Sequence, residues 1–283
     1  MLATIWNTIL FYPFLNVLTL LYKILGENLG LAVIVIAIII RLALIPSSKK
    51  QIDMSKKLAE MKPKLDKIQK LYANNKQKLS EEQVKLYKES GYNPVGCFTS
   101  FIPQILVLYA IIQVINVVTK VNWDGSGLYP FVRNWVFPNI AMGGQINFNI
   151  KFLFFNLAQT AKAIGFNNVA VIPYIVLALS VGFVQYISTK FMQIMQGQAP
   201  TATKKGQEKT PEQAQAQMMN SMNYLFPLMT IYFTIITPSV LGIYWLIQSL
   251  MMVVQYYIID PKKFMTTLKE VFTFKFKKLN LKK

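Results

Sequence analysis

The chain has 283 residues, of which 53% are hydrophobic and 15% charged, with a mean hydropathy of +0.36. That balance belongs to an integral membrane protein rather than a soluble domain. The formal net charge is +18, one cysteine (Cys97) excludes an internal disulfide and a four-cysteine zinc site, and the absence of histidine removes the serine–histidine triad and the commonest general base and metal ligand. The expectation is an all-α polytopic membrane protein that is not an enzyme, with no catalytic residue, metal site or cofactor.

Residues 1–28 are apolar and reach Lys23 before any basic residue, so a cleaved secretory signal, which needs a basic start, is not expected. Apolar positions at 14, 15, 18, 21, 22 and 25 keep helical spacing, which predicts an amphipathic helix in the membrane interface. An additional crossing is the alternative, because the length fits.

Residues 29–46, LGLAVIVIAIIIRLALIP, form the first expected span. The span contains one full charge, Arg41. An arginine at the centre of a spanning helix costs about 2.5–3.5 kcal/mol on insertion scales. Pro46 is expected to end or kink the helix, and Lys49 and Lys50 to mark the membrane surface.

Residues 47–93 change character. Twelve lysines and six acids fall between 49 and 93. Met54, Leu58, Met61, Leu65, Ile68 and Leu71 make one narrow apolar stripe. Asn74-Asn75 interrupts it, and Ser80-Glu81-Glu82-Gln83 has the form of a capping box opening a second helix with Val84 and Tyr87. The prediction is a helical hairpin in water; a solvated coiled-coil loop without a partner is the plainer alternative.

A second span is expected over 94–119, with Pro103, Gln104, Gln113 and Asn116, and then an aromatic-rich extracellular loop over 120–168 containing Trp123, Tyr129 and Trp135. Within that loop, 147–163 is expected as a short helix on the membrane. A third span covers 169–192, a polar cytoplasmic loop 193–220, a fourth span 221–237 and a fifth 239–259. Residues 260–283 form a basic tail with eight lysines. The dense lysine segments all fall on one side of five spans, so the positive-inside rule places the N-terminus outside and the C-terminus in the cytoplasm. The clustered charge suits anionic lipids or nucleic acid.

No expected span holds an Asp, Glu or His, so Arg41 lacks an ion-pair partner within the membrane. Three readings follow. Arg41, about 6 Å from the inner end of its span at 1.5 Å per residue, snorkels to lipid phosphates. Or it faces a hydrated cavity lined from Gln104, Gln113, Asn116, Ser180, Gln185, Thr230, Thr234, Gln248, Ser249 and Gln255. Or it serves a proton-coupled transporter, which the lack of intramembrane acids argues against.

Arg41-x4-Pro46-x4-Gln51, Met61-Lys62-Pro63-Lys64, Leu86-Tyr87-Lys88, Asn93-Pro94-x-Gly96-Cys97 and Leu241-Gly242-Ile243-Tyr244-Trp245 with Gln255 occur in this order. The series resembles the YidC family of membrane protein insertases, in the short Gram-positive form without a large periplasmic domain. It departs from the family pattern at Val95 and Thr99, and in having Pro103-Gln104 for the usual Gln-x-Pro.

The resemblance implies a bacterial plasma-membrane insertase with a cytoplasm-open hydrophilic groove. Arg41 matches the groove arginine, and Gln185 and Trp245 match lining positions. With Gln104 and Gln248 from the polar set, these are the expected substrate-binding residues. The implied partners are newly made membrane proteins, the ribosome (through the basic tail), the Sec translocon and the signal recognition particle receptor, with anionic lipids from the charge pattern. A small channel or carrier using the same cavity is the rival expectation, and a docking scaffold a third.

Overall fold

A computed structural model describes residues 2–72, 75–91, 102–120, 123–138, 146–195 and 211–272. Expectations for the start of the second span (94–101), for residues 196–210 of the polar loop and for the end of the basic tail lie outside these residues, as does the side chain of Gln104. The regular secondary structure described is helical apart from one two-stranded hairpin and an isolated bridge between Trp123 and Ile146.

The chain opens with α1 (Leu2–Trp6), a π-helical turn (Asn7–Phe11) and α2 (Tyr12–Ile24). Pro13 stands in the first turn of α2 and has no N–H to give the preceding turn, and the ladder widens to the π register just before it. After a turn in which Gly26 and Glu27 take positive φ, Asn28 caps α3 (Leu29–Ala43), its side chain accepting from Leu31 N–H at 3.0 Å.

The first expected span does not stop at Pro46. The break falls at Leu44, and α4 (Ile45–Leu71) resumes at once with Pro46 in its first turn. Two short-range effects explain this. A proline is tolerated where the helical N–H groups are unpaired anyway, while the missing donor and ring clash act on the turn before it. The result is a 49° bend between 29–43 and 45–54.

Beyond the bend, α4 turns back through α5 (Lys76–Glu89), and the pair buries Met61, Leu65 and Leu86. The predicted stripe is therefore used in its middle, whereas Leu71 is exposed. The capping box is not the start of α5. Asn75 caps it a turn earlier, accepting from Lys78 N–H at 3.0 Å, because an asparagine at the end of the break competes first for the free donors. Asn75→Ala is expected to destabilise α5 by about 1 kcal/mol, read as faster amide exchange over 76–80, whereas Ser80→Ala changes it little.

The next elements are α6 (Ile102–Val118) and α7 (Pro130–Val136). The predicted helix over 147–163 is replaced by β1 (Lys151–Phe152) paired antiparallel with β2 (Phe155–Asn156), then the single turn α8 (Ala161–Ile164). Local chemistry decides this. Asn149 accepts from Lys151 N–H and Asn156 from Ala158 N–H, both at 3.1 Å, and such side-chain turns divert the backbone from a helix.

Finally come α9 (Ile172–Met195), α10 (Pro211–Ile236), α11 (Ser239–Ile259) and α12 (Pro261–Phe272). Ala3–Ile24, Val169–Ile194 and Ser239–Ile259 are each long and apolar enough to cross a membrane, and so is the bent pair Leu29–Ala43 with Ile45–Met54. Ile105–Val118 and Tyr224–Ile236 are shorter apolar helices.

α11 is central: α9 and α3 both pack on it, and α10 packs on the far side of α9. α2 lies against α3, α6 and α7, and α12 closes on α9 and α11. The main core joins Leu15 and Leu18 of α2, Ala32, Val33 and Ile36 of α3, Val114 and Ile115 of α6, and Leu241 and Tyr244 of α11. A second core pins the base of α4, where Ile52 meets Phe191 and Tyr256. Close approach of α9 and α10 depends on Gly182, where a Cβ would overlap the side chain of Ile231.

Candidate functional site

Arg41 stands in the last turn of α3, a position that favours a cation against the helix dipole. Its side chain is only 8% exposed. It therefore does not extend to the protein surface as the snorkelling expectation required. It lies beside Tyr244 and Tyr256 of α11. Ion pairs form elsewhere, as in Lys23–Glu27 at 2.7 Å and Lys56–Asp260 at 3.8 Å.

Gln248 connects the two helices here. Its Nε2 donates to the Ala37 carbonyl at 3.2 Å, one turn before Arg41. The side chain is 8% exposed. Tyr244 adjoins it one turn earlier on α11, and Gln255 lies two turns further along the same helix, 2% exposed.

Four buried polar atoms here make no hydrogen bond to the described residues: Arg41 Nε, Tyr244 Oη, Gln248 Oε1 and Gln255 Oε1. Leaving such groups unpaired costs about 1–3 kcal/mol each. All four sit on α3 and α11. The site is a polar strip inside an apolar helix pair, carrying one cation and no acid, and chemically it favours water and anionic or polar guests.

The expected site residues divide. Arg41 and Gln248 are brought together. Gln185 of α9 accepts from Ser249 Oγ at 2.6 Å, so it reaches α11 at the residue next to Gln248. Ser188 Oγ extends this seam by donating to the Ser249 carbonyl at 2.7 Å. Trp245 is half-buried and packs against the main core.

Other members of the polar set are used elsewhere. Gln113 accepts from Trp6 Nε1 at 2.6 Å and donates to Tyr109 Oη at 3.0 Å, tying the N-terminal helix to α6. Thr230 and Thr234 donate to carbonyls of their own helix. Tyr244 and Tyr256 were not expected as site residues, since tyrosine in a span counts as apolar. A helical-wheel reading of α11 would have found Tyr244, which shares a face with Gln248 and Gln255 at steps of four and seven.

Comparison with known proteins gives a consistent picture. A family model described as 60Kd inner membrane protein matches residues 20–266. The membrane protein insertase YidC of Treponema denticola is 28% identical over 246 residues, which are 86% of this chain and 36% of that protein. The insertase MisCA of Bacillus subtilis is 26% identical over 266 residues, covering 91% of this chain and 81% of the relative. The insertase YidC of Fusobacterium nucleatum is 28% identical over 235 residues, covering 83% and 87%. The chain thus spans about a third of the first relative and over four fifths of the other two.

Proposed function

Because the chain belongs to the 60Kd inner membrane protein family, we infer that it is a membrane protein insertase acting on newly made membrane proteins. The observation that carries the mechanism is the enclosed Arg41, with unpartnered polar atoms around it on α3 and α11. In this proposal those groups keep a hydrophilic groove wet in one leaflet and open to the cytoplasm. Arg41 and Gln248 receive the polar end of a substrate, most favourably one carrying an acid, because a charge pair is stronger where water is sparse. Gln185, Trp245 and Gln104 extend the lining. The substrate's apolar segment passes into lipid along the exposed side chains of the third and final spans, α9 and α11. No covalent step is involved, so nothing in the cycle calls for a nucleotide.

The proposed topology has five crossings: α3 with the start of α4, α6, α9, the part of α10 from Tyr224, and α11. The N-terminus lies outside and the C-terminus in the cytoplasm of a bacterial cell. α6, at 17 residues, is about 25 Å long, short of a full crossing; the helix begins next to residues outside the described set. α2 is proposed to lie in the outer interface. The support is that its polar side chains meet the loop between α6 and α9: Asn16 donates to the Gly127 carbonyl and accepts from Tyr129 N–H, and Tyr22 Oη accepts from Asn149 N–H. An additional crossing is the second reading, favoured by the length of Ala3–Ile24 and by the packing of α2 on α3 and α6. The lysine-rich hairpin and tail are proposed to meet the ribosome, the Sec translocon, the signal recognition particle receptor and anionic lipids.

The test is reconstitution of the purified chain alone in liposomes, with a single-span substrate bearing an acidic tail. Protease protection of that substrate without nucleotide or other proteins is the expected result. Failure to insert sinks the proposal, and leakage of small solutes without any substrate points instead to a channel or carrier.

A further inference from the structure

The β1–β2 hairpin is mounted on the ends at which α3, α9 and α11 begin. The ring of Phe152 lies over Gly30, where any Cβ would overlap it. Phe155 meets Tyr174 edge-on at 5.3 Å between ring centres. Asn156 N–H donates to Tyr174 Oη at 2.8 Å, and the Asn156 carbonyl accepts from Ser239 Oγ at 3.0 Å. The next residue is fixed as well, since Val240 N–H donates to the Leu157 carbonyl at 3.2 Å. Every residue of the two strands except Lys151 is thus tied to a helix start.

The tip is different. Leu153 and Phe154 are 77% and 81% exposed, whereas the other apolar side chains from Ile146 to Leu157 are buried or half-buried. Leu153 also has φ of 50°, a conformation that glycine or asparagine adopts readily and a leucine does not. A leucine in that conformation is a backbone cost, which a contact made by its side chain would offset. The chemistry around it is uniform. From 146 to 172 there is no acid, and the charges are Lys151 and Lys162. Phe166, Val169 and Ile172, leading into α9, are also exposed.

We propose that Leu153 and Phe154 form a lipid-inserting wedge, seated in the interfacial layer of the leaflet at which α3, α9 and α11 begin. This rests on the proposed membrane placement of those helices. The composition fits lipid: a leucine and an aromatic ring enter the head-group and acyl boundary, and a flanking lysine stays with the phosphates. The rigid mounting gives the wedge a fixed depth relative to α3, so it perturbs lipid packing beside the helix that carries Arg41.

The test uses the full chain with Cys97→Ser and Phe154→Cys, labelled with an environment-sensitive dye and reconstituted in phosphatidylglycerol–phosphatidylcholine vesicles. Phe154 is exposed, so the variant folds. Lipids spin-labelled near the head group are expected to quench the dye severalfold more than aqueous iodide does. A dye open to iodide and untouched by lipid labels overturns the wedge. A dye shielded from both overturns it in favour of a protein partner. A companion Leu250→Cys label on α11 separates the failures: if deep lipid labels quench it while the 154 dye stays in water, the wedge alone is wrong. If neither label meets lipid, the membrane placement falls and takes the wedge with it. As a second arm, Leu153→Gly should reduce lipid quenching at 154 while leaving the chain at least as stable to heat.

Discussion

Arg41→Ala is expected to lower insertion of an acidic-tailed single-span substrate by about tenfold or more. A hydrogen bond to a charged group contributes about 1.5–3 kcal/mol, and each 1.4 kcal/mol is a factor of ten. The measurement is initial-rate protease protection in liposomes, compared at equal amounts of folded insertase. Arg41→Lys should recover part of the activity, because the ammonium keeps the charge and loses the planar fork. Substrates whose acidic tail residues are changed to amides should lose less on Arg41→Ala. If both substrates are affected alike, Arg41 keeps the groove wet without contacting the tail. If Arg41→Ala inserts normally, the polar strip on α3 and α11 is not the path.

Gly182→Leu is expected to lower the melting temperature of the detergent-purified chain by several degrees. The added side chain must enter space held by Ile231, next to the Pro227 carbonyl, and overpacking of this kind costs about 1–3 kcal/mol. Gly182→Ala should do the same to a smaller degree. Ile231→Ala, made in the Gly182→Leu background, should restore part of the loss, since it empties the volume the leucine needs. An unchanged melting temperature for Gly182→Leu would show that α10 is free to stand off α9.

Arg41 was legible because one charge in an unbroken apolar run has few neighbours to hide behind, and the missing acids removed the ion-pair option before any coordinates were needed. Gln248 was only one of ten polar candidates, because hydropathy cannot tell a residue facing α3 from one facing lipid. Its bond to Ala37 is a tertiary fact. Gln113 shows the converse: it has the same side chain in a similar setting, and Trp6, over a hundred residues away, uses it. The hairpin was readable from its stripe of Met61 and Leu65. Its boundary was misplaced because Asn75 and Ser80 are both good caps, and the earlier one captured the free N–H groups. The β-hairpin was missed because Phe152 to Phe155 is a short apolar run, in which neither periodicity is visible.

The seam of Gln185, Ser188 and Ser249 has a mechanical corollary. It staples α9 to α11 through two side-chain hydrogen bonds, whereas the described polar fastening between α11 and α3 is the single 3.2 Å bond from Gln248. The apolar core of Ala32, Val33 and Ile36 against Leu241 and Tyr244 joins those two helices as well, so a guest that takes the Gln248 bond leaves them packed. α3 leads through the bend at Leu44 into α4, a helix about 40 Å long. Beyond the bend Ile52 packs on Phe191 and Tyr256, so the base of that helix is held by the same α9 and α11 that the seam staples, and the direction of the hairpin is set there.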